Sequence, residues 1–140
     1  NVVKAFFIKP VGPNGEVPPS IKADTTIEYG KYLANSIGNC SGCHTKRTET
    51  GGFEGALFAG GEMFENGIMQ YPPNLTTHPS GRLTGWKLEN FINRFRMGVL
   101  DPKSMMPWNN YKSMTDDELK AVFKYLKSLP PAESSVVVKK

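Results

Sequence analysis

At 140 residues, 39% hydrophobic and 21% charged, the chain has enough apolar material for one modest globular core. Its formal net charge of +4 comes from 17 basic and 13 acidic residues with no basic block, which argues against nucleic acid as a partner and favours docking to an acidic protein or a charged membrane. No run approaches the roughly 18 apolar residues that cross a bilayer, and 14 glycines with 11 prolines predict long irregular stretches joining a few helices.

Residues 1–23, "NVVKAFFIKPVGPNGEVPPSIKA", carry four prolines and an apolar patch from Val2 to Ile8. They read as an irregular arm, a linker to a neighbouring domain or to a membrane tether upstream of residue 1. The first residue is Asn1 and not Met, so the expectation is a processed chain whose missing piece was a secretion signal or an anchor. From Asp24 the pattern turns helical: Ile27, Tyr29, Gly30, Leu33, Ala34 and Ile37 form a stripe, with Asp24 as expected N-cap and Gly38 as stop.

Residues 45–85 are rich in Gly and turn formers, and Asn66–Gly67 in "MFENGIMQY" predicts a tight hairpin in the 60–72 region. A second helix is expected in "GWKLENFINRFRMG", with Leu88, Phe91, Ile92 and Phe95 on one face. "MTDDELKAVFKYLKSLPP" is the clearest helix. Thr115 and Glu118 make a capping box, Asp116 and Asp117 suit the positive helix start, and Pro130–Pro131 stop it. Residues 132–140 read as a C-terminal tail, in which "SSVVVKK" is a short strand or disordered.

The chemistry concentrates in "NCSGCHT". Both cysteines of the chain, Cys40 and Cys43, and one of its two histidines, His44, fall within five positions. Cys-x-x-Cys-His is the c-type haem attachment pattern. Two thiols add to two vinyl groups on adjacent pyrrole rings, two intervening residues let both reach, and the next residue projects its imidazole over the ring plane. Three other readings of these residues compete with it. Zinc held by Cys40, Cys43, His44 and His78 would strain a tetrahedral site, because adjacent Cys and His seldom both reach one ion. A thioredoxin-like redox pair needs a βαβ context that is not there. A plain disulfide explains the cysteines but not the histidine.

A haem iron bound by His44 then takes a second axial ligand or leaves an open position. The candidates are His78 and the six methionines Met63, Met69, Met97, Met105, Met106 and Met114. "SMMPWNNY" favours Met106: Pro107 stiffens the loop and holds the preceding residue extended, and 62 residues separate His44 from Met106, enough to wrap to the opposite face. Met105 is the second choice, and core filling is the ordinary fate of both. His78, in the turn-rich "NLTTHPSG", reads as a solvated loop histidine, with a bis-histidine site as the sharper alternative.

The runs "YGKYLANSIGNCSGCHT", "FAGGEMFENGIMQYPPNLT", "GWKLENFINRFRMGV" and "MMPWNNYKSMTDDELKAVFKYLKSLPP" together resemble class I monohaem c-type cytochromes. They are similar, more narrowly, to the cytochrome c domains and subunits of bacterial periplasmic dehydrogenases and terminal oxidases. The likeness covers residues 24–131. It implies a mainly α cytochrome c fold, three to five helices wrapped round one covalently bound haem c, with first and last helices crossing at Gly30 and Tyr32 against Tyr125 and Leu126. It implies a carbonyl in the Pro72–Pro73–Asn74 turn that accepts a hydrogen bond from His44, and places Asn74, Trp86 and Arg96 beside the haem, Arg96 as a propionate partner. Thr76 also matches a position near the haem edge. The expected activity is electron transfer with His/Met ligation between respiratory or dehydrogenase partners. The chain is then a carrier domain and not itself an enzyme, facing the periplasm, with Lys46, Arg47, Lys103 and Lys112 as a basic rim for an acidic partner. A ligand-binding sensor or peroxide enzyme is the contrasting reading, and would need a polar group opposite His44.

Overall fold

The computed structural model describes residues 20–65 and 67–136. Residues 1–19 of the arm expected over 1–23, the last four residues of the tail and Asn66 lie outside the described residues. Helix α1 spans Ile27–Tyr32 and runs on as a π-helical segment, Leu33–Ile37. Its N-cap is Thr26, whose hydroxyl accepts from the Tyr29 N–H, and not Asp24 as the sequence predicted. Asp24 instead accepts from the Thr26 N–H at 2.8 Å, one step outside the helix, where its carboxylate braces the cap residue. Helix α2, Cys40–His44, is the haem-type motif itself, entered through Asn39 in the left-handed region at φ 45°.

Strands β1 (Met63–Glu65) and β2 (Ile68–Gln70) pair antiparallel, with Phe64 opposite Met69, so the expected hairpin is present. Helix α3 covers Leu88–Arg96 and buries Phe91 and Phe95. Helix α4 is the short Trp108–Tyr111 turn directly after Met106–Pro107. Helix α5, Asp116–Ser128, starts on the expected capping box: Thr115 accepts from the Glu118 N–H, and Glu118 accepts from the Thr115 N–H at 2.7 Å. It buries Leu119, Ala121, Val122, Tyr125 and Leu126.

The core is where α1, α3 and α5 meet, with Leu33, Ala34, Phe58, Phe91, Phe95, Leu119, Val122 and Leu126 inside. Helices α1 and α5 cross at Gly30. A Cβ there would stand 2.0 Å from the Ala121 carbonyl oxygen, so the backbones touch without a side chain between them. The nearest partner is Ala121, and the Tyr125 expected from the sequence, one turn on, has its Cβ 3.0 Å from the same point. The body also extends past 131. The Ala132 carbonyl accepts from Asn74, and the Ser135 N–H donates to Ala59 at 2.9 Å. Mainly helical with one small hairpin, this architecture agrees with the cytochrome c fold expected.

Candidate functional site

Helix α5 contributes Val122 and Leu126 to the wall of one cavity, of about 530 Å³, within the range of about 300–1,000 Å³ that holds large organic ligands. Cys40, Cys43 and His44 line one side. Met105, Met106, Pro107 and Trp108 line another, and Leu75, Leu83, Trp86, Phe91, Phe95, Val122 and Leu126 fill in apolar surface.

Local chemistry orients the motif. The imidazole of His44 is buried at 6% exposure, and its Nδ1 lies 2.8 Å from the Pro73 carbonyl. A carbonyl can only accept, so Nδ1 carries the proton and Nε2 keeps the lone pair. Burial holds the imidazole below its ordinary range, with the Pro73 carbonyl pulling the other way, so the ring is neutral, the form that ligates a metal. Burial likewise pushes the Cys40 thiol up to about 11. That sulfur sits there uncharged, and a thioether in its place would remain so.

The 58–61 loop clamps the motif from outside. Gly60 N–H donates to the His44 carbonyl at 3.0 Å, and Phe58 N–H to the Thr45 hydroxyl at 3.0 Å. A Cβ on Gly61 would fall 2.1 Å from the Cys43 carbonyl oxygen. Only a glycine lets this strand of backbone lie against the motif. Opposite, the Tyr111 hydroxyl donates to the Gly38 carbonyl, tying α4 to the residue two before Cys40. The sequence reading passed over both devices. Consecutive Gly60–Gly61 was the visible signal for the first, while nothing local announced the second.

Trp86, which the resemblance placed beside the haem, lines the cavity. Asn74 and Arg96 are placed elsewhere. Asn74 is buried beside the cavity but spends its side chain on backbone: Nδ2 donates to Ala132, and Oδ1 accepts from the Thr76 N–H and hydroxyl at 2.8 Å. It fixes the turn that carries Pro73. Arg96 turns out of the cavity, because the Asp116 carboxylate and the Lys112 carbonyl take its guanidinium. Arg82 and Arg94 are the arginines on the cavity wall.

His78 does not line the cavity; its Nδ1 accepts from the Ser80 N–H at 3.2 Å and lies 2.7 Å from the Ser80 hydroxyl, within its own turn. This removes the geometric basis for a bis-histidine site. Among the described residues, no group of three or more His, Cys, Asp or Glu side chains is placed to hold a metal ion, which removes the zinc reading.

Two sulfurs, one neutral imidazole with a free Nε2, and two thioethers facing one apolar space are the donor set a c-type haem needs. The residues present fit that group. The cytochrome c family model matches residues 27–130. The chain belongs to the cytochrome c family. It is 32% identical over 135 residues to the cytochrome c subunit of alcohol dehydrogenase (quinone) from Gluconacetobacter polyoxogenes, covering 84% of this chain and 27% of that protein. The corresponding subunit of Gluconobacter oxydans (strain 621H) is 29% identical, over 91% of this chain and 28% of its own length. The fructose dehydrogenase cytochrome subunit of Gluconobacter japonicus is 27% identical, over 79% and 23%. The chain thus spans about a quarter of the length of these relatives. As a cytochrome c domain similar to dehydrogenase subunits, it serves electron transfer through haem c.

Proposed function

We propose that this domain carries one haem c, bound through Cys40 and Cys43 and held between His44 and Met106, and passes single electrons from a periplasmic dehydrogenase partner to a respiratory acceptor. The observation that carries the reading is the meeting of Cys40, Cys43, His44 and Met106 on one apolar cavity, with His44 held by Pro73. Bound haem c supplies a one-electron ferric–ferrous couple, and a thioether ligand favours a high potential. The chain's own residues do the rest. The Pro73 carbonyl fixes the tautomer and orientation of His44. Phe91, Phe95, Leu83 and Leu126 exclude water from the cavity. Pro107 and the Trp108–Ser104 hydrogen bond, at 3.2 Å, shape the loop that presents Met106.

The relatives are named as subunits of alcohol and fructose dehydrogenases, which supports a dehydrogenase as donor. Two of the four cations expected in the docking rim are engaged. Lys46 pairs with Glu54 at 3.1 Å, and Arg47 donates to Gly42 and Gly51 and stacks on Phe53. Lys103 and Lys112, both exposed, remain for an acidic partner.

A pyridine haemochrome spectrum and the intact mass of protein matured with its haem test the reading: one covalently added haem is expected, and colourless protein overturns it. Replacing Met106 by Ala should abolish the weak far-red sulfur-to-iron band and lower the reduction potential. An unchanged spectrum would transfer the ligand role to Met105.

A further inference from the structure

Resting on the haem c reading, we propose that residues 132–135 form a strap that positions His44 from behind and so sets the reduction potential of the iron it binds. The strap follows helix α5 and lies beyond residues 27–130, the span matched to the cytochrome c family. None of residues 132–135 lines the cavity. They bond instead to both segments that hold His44.

The first segment is the turn that carries Pro73, whose carbonyl lies 2.8 Å from Nδ1 of His44. Asn74, the next residue, donates to the Ala132 carbonyl at 2.8 Å. The Thr76 hydroxyl accepts from the Ala132 N–H at 3.3 Å and lies 3.2 Å from the Ala132 carbonyl. The second segment is the 58–61 loop, whose Gly60 N–H donates to the His44 backbone carbonyl at 3.0 Å. There the Ser135 N–H donates to the Ala59 carbonyl at 2.9 Å, and a Cβ on Gly60 would stand 3.2 Å from the Ser134 hydroxyl oxygen. The two segments also bond to each other, the Gly61 N–H to Pro72 and the Leu75 N–H to Phe58. Neither segment lies in a helix or a strand, so its place depends on bonds of this kind, and the strap supplies them to both.

An imidazole that donates its Nδ1 proton to a carbonyl is a better electron donor at Nε2. A better donor favours ferric over ferrous iron and lowers the potential. With the strap in place, Pro73 keeps that bond. With the strap gone, the turn drifts, the bond weakens and the potential rises.

The test compares haem-loaded protein lacking residues 132–140 with a control lacking 137–140 alone. Two quantities are measured: the reduction potential, and the solvent exchange of the His44 Nδ1 proton by NMR of the ferrous form. The long deletion should raise the potential and speed that exchange roughly tenfold, the effect of about one lost hydrogen bond. Amides of helix α3 should keep the parent's rates, which separates loosening of His44 from general unfolding. The short deletion and Ser135→Ala keep every bond named above and should match the parent in both quantities. Ser135→Pro removes the N–H that holds Ala59 without a change of charge. It should move both quantities the same way by a smaller amount. Glu133→Gln should leave the Nδ1 exchange at the parent's rate, which separates loss of that carboxylate from loss of the strap.

An unchanged exchange rate or an unchanged potential in the long deletion overturns the proposal. So does a lowered potential, the mark of water reaching the iron, and so do α3 amides that speed up by the same factor as Nδ1. If the long deletion fails to mature, Ser135→Pro decides by the same criteria, since it alters one partly exposed residue near the chain end. Absence of covalent haem in the parent, read from the haemochrome, overturns the haem reading itself. That outcome is distinct from a haem-loaded parent whose long deletion behaves as the parent does.

Discussion

Asn74 shows how one buried amide can serve a site it does not line. At 4% exposure its donor holds the Ala132 carbonyl and its acceptor holds both polar groups of Thr76, so the turn that presents the Pro73 carbonyl to His44 is braced from the far side. Removing the amide leaves the buried Thr76 N–H without a partner, at a cost of about 1–3 kcal/mol, while the Thr76 hydroxyl still donates to the Ala132 carbonyl at 3.2 Å. Asn74→Ala should therefore destabilise the folded protein by about 1–3 kcal/mol, read from guanidinium unfolding, and shift the reduction potential as His44 loosens. Unaltered stability would remove Asn74 from this role. Likeness to the family drew attention to Asn74, but likeness could not tell a haem contact from a backbone brace. A side chain's partners 58 residues away are set by the fold. The same holds for Arg96 and Arg94, two residues apart on one helix. The 3.6-residue period turns one toward Asp116 and the other toward the cavity.

Among the elements, the contact between α1 and α5 holds the helix whose Val122 and Leu126 line the cavity. Its closest point is Gly30 on the Ala121 carbonyl. Gly30→Ala should cost about 3 kcal/mol, since rigid backbone and not a flexible side chain would have to move. Thermal unfolding checks it, and a wild-type Tm would show that the helices slide apart freely. The short helix α4 is tied by the Tyr111 hydroxyl to Gly38, which couples the Met106 loop to the approach into Cys40. Burial pushes the Tyr111 phenol up to about 12, above the ordinary 10.0 of an exposed tyrosine. A group that holds its proton more tightly when folded contributes stability below about pH 10, and that contribution is lost as pH rises toward 12. Tyr111→Phe should lower stability by about 1 kcal/mol at neutral pH and flatten the fall in stability above pH 10. Unfolding midpoints measured at neutral and alkaline pH give the answer. Identical alkaline slopes in parent and variant would count against it.

For the whole molecule, function depends on meeting a partner. Of the expected rim, Lys46 pairs with Glu54 and Arg47 is held by the Gly42 and Gly51 carbonyls, which leaves the exposed Lys103 and Lys112 to steer an acidic surface. The rate of electron exchange with an acidic dehydrogenase partner should fall as salt rises, and Lys103→Gln with Lys112→Gln should flatten that dependence. Stopped-flow rates at several ionic strengths check this, and equal salt slopes would place the docking face elsewhere. The sequence by itself determined the chemistry: Cys40, Cys43 and His44 lie within five positions, and helix caps and apolar stripes are local, so short-range covalent geometry and helix periodicity make them legible. Only the tertiary structure decided which arginines face the cavity, that Gly61 lets a loop lie on the Cys43 carbonyl, and that residues 132–135 belong to the body. Those are contacts between segments tens of residues apart, and no local pattern encodes which of several chemically equal side chains the packed helices turn inward.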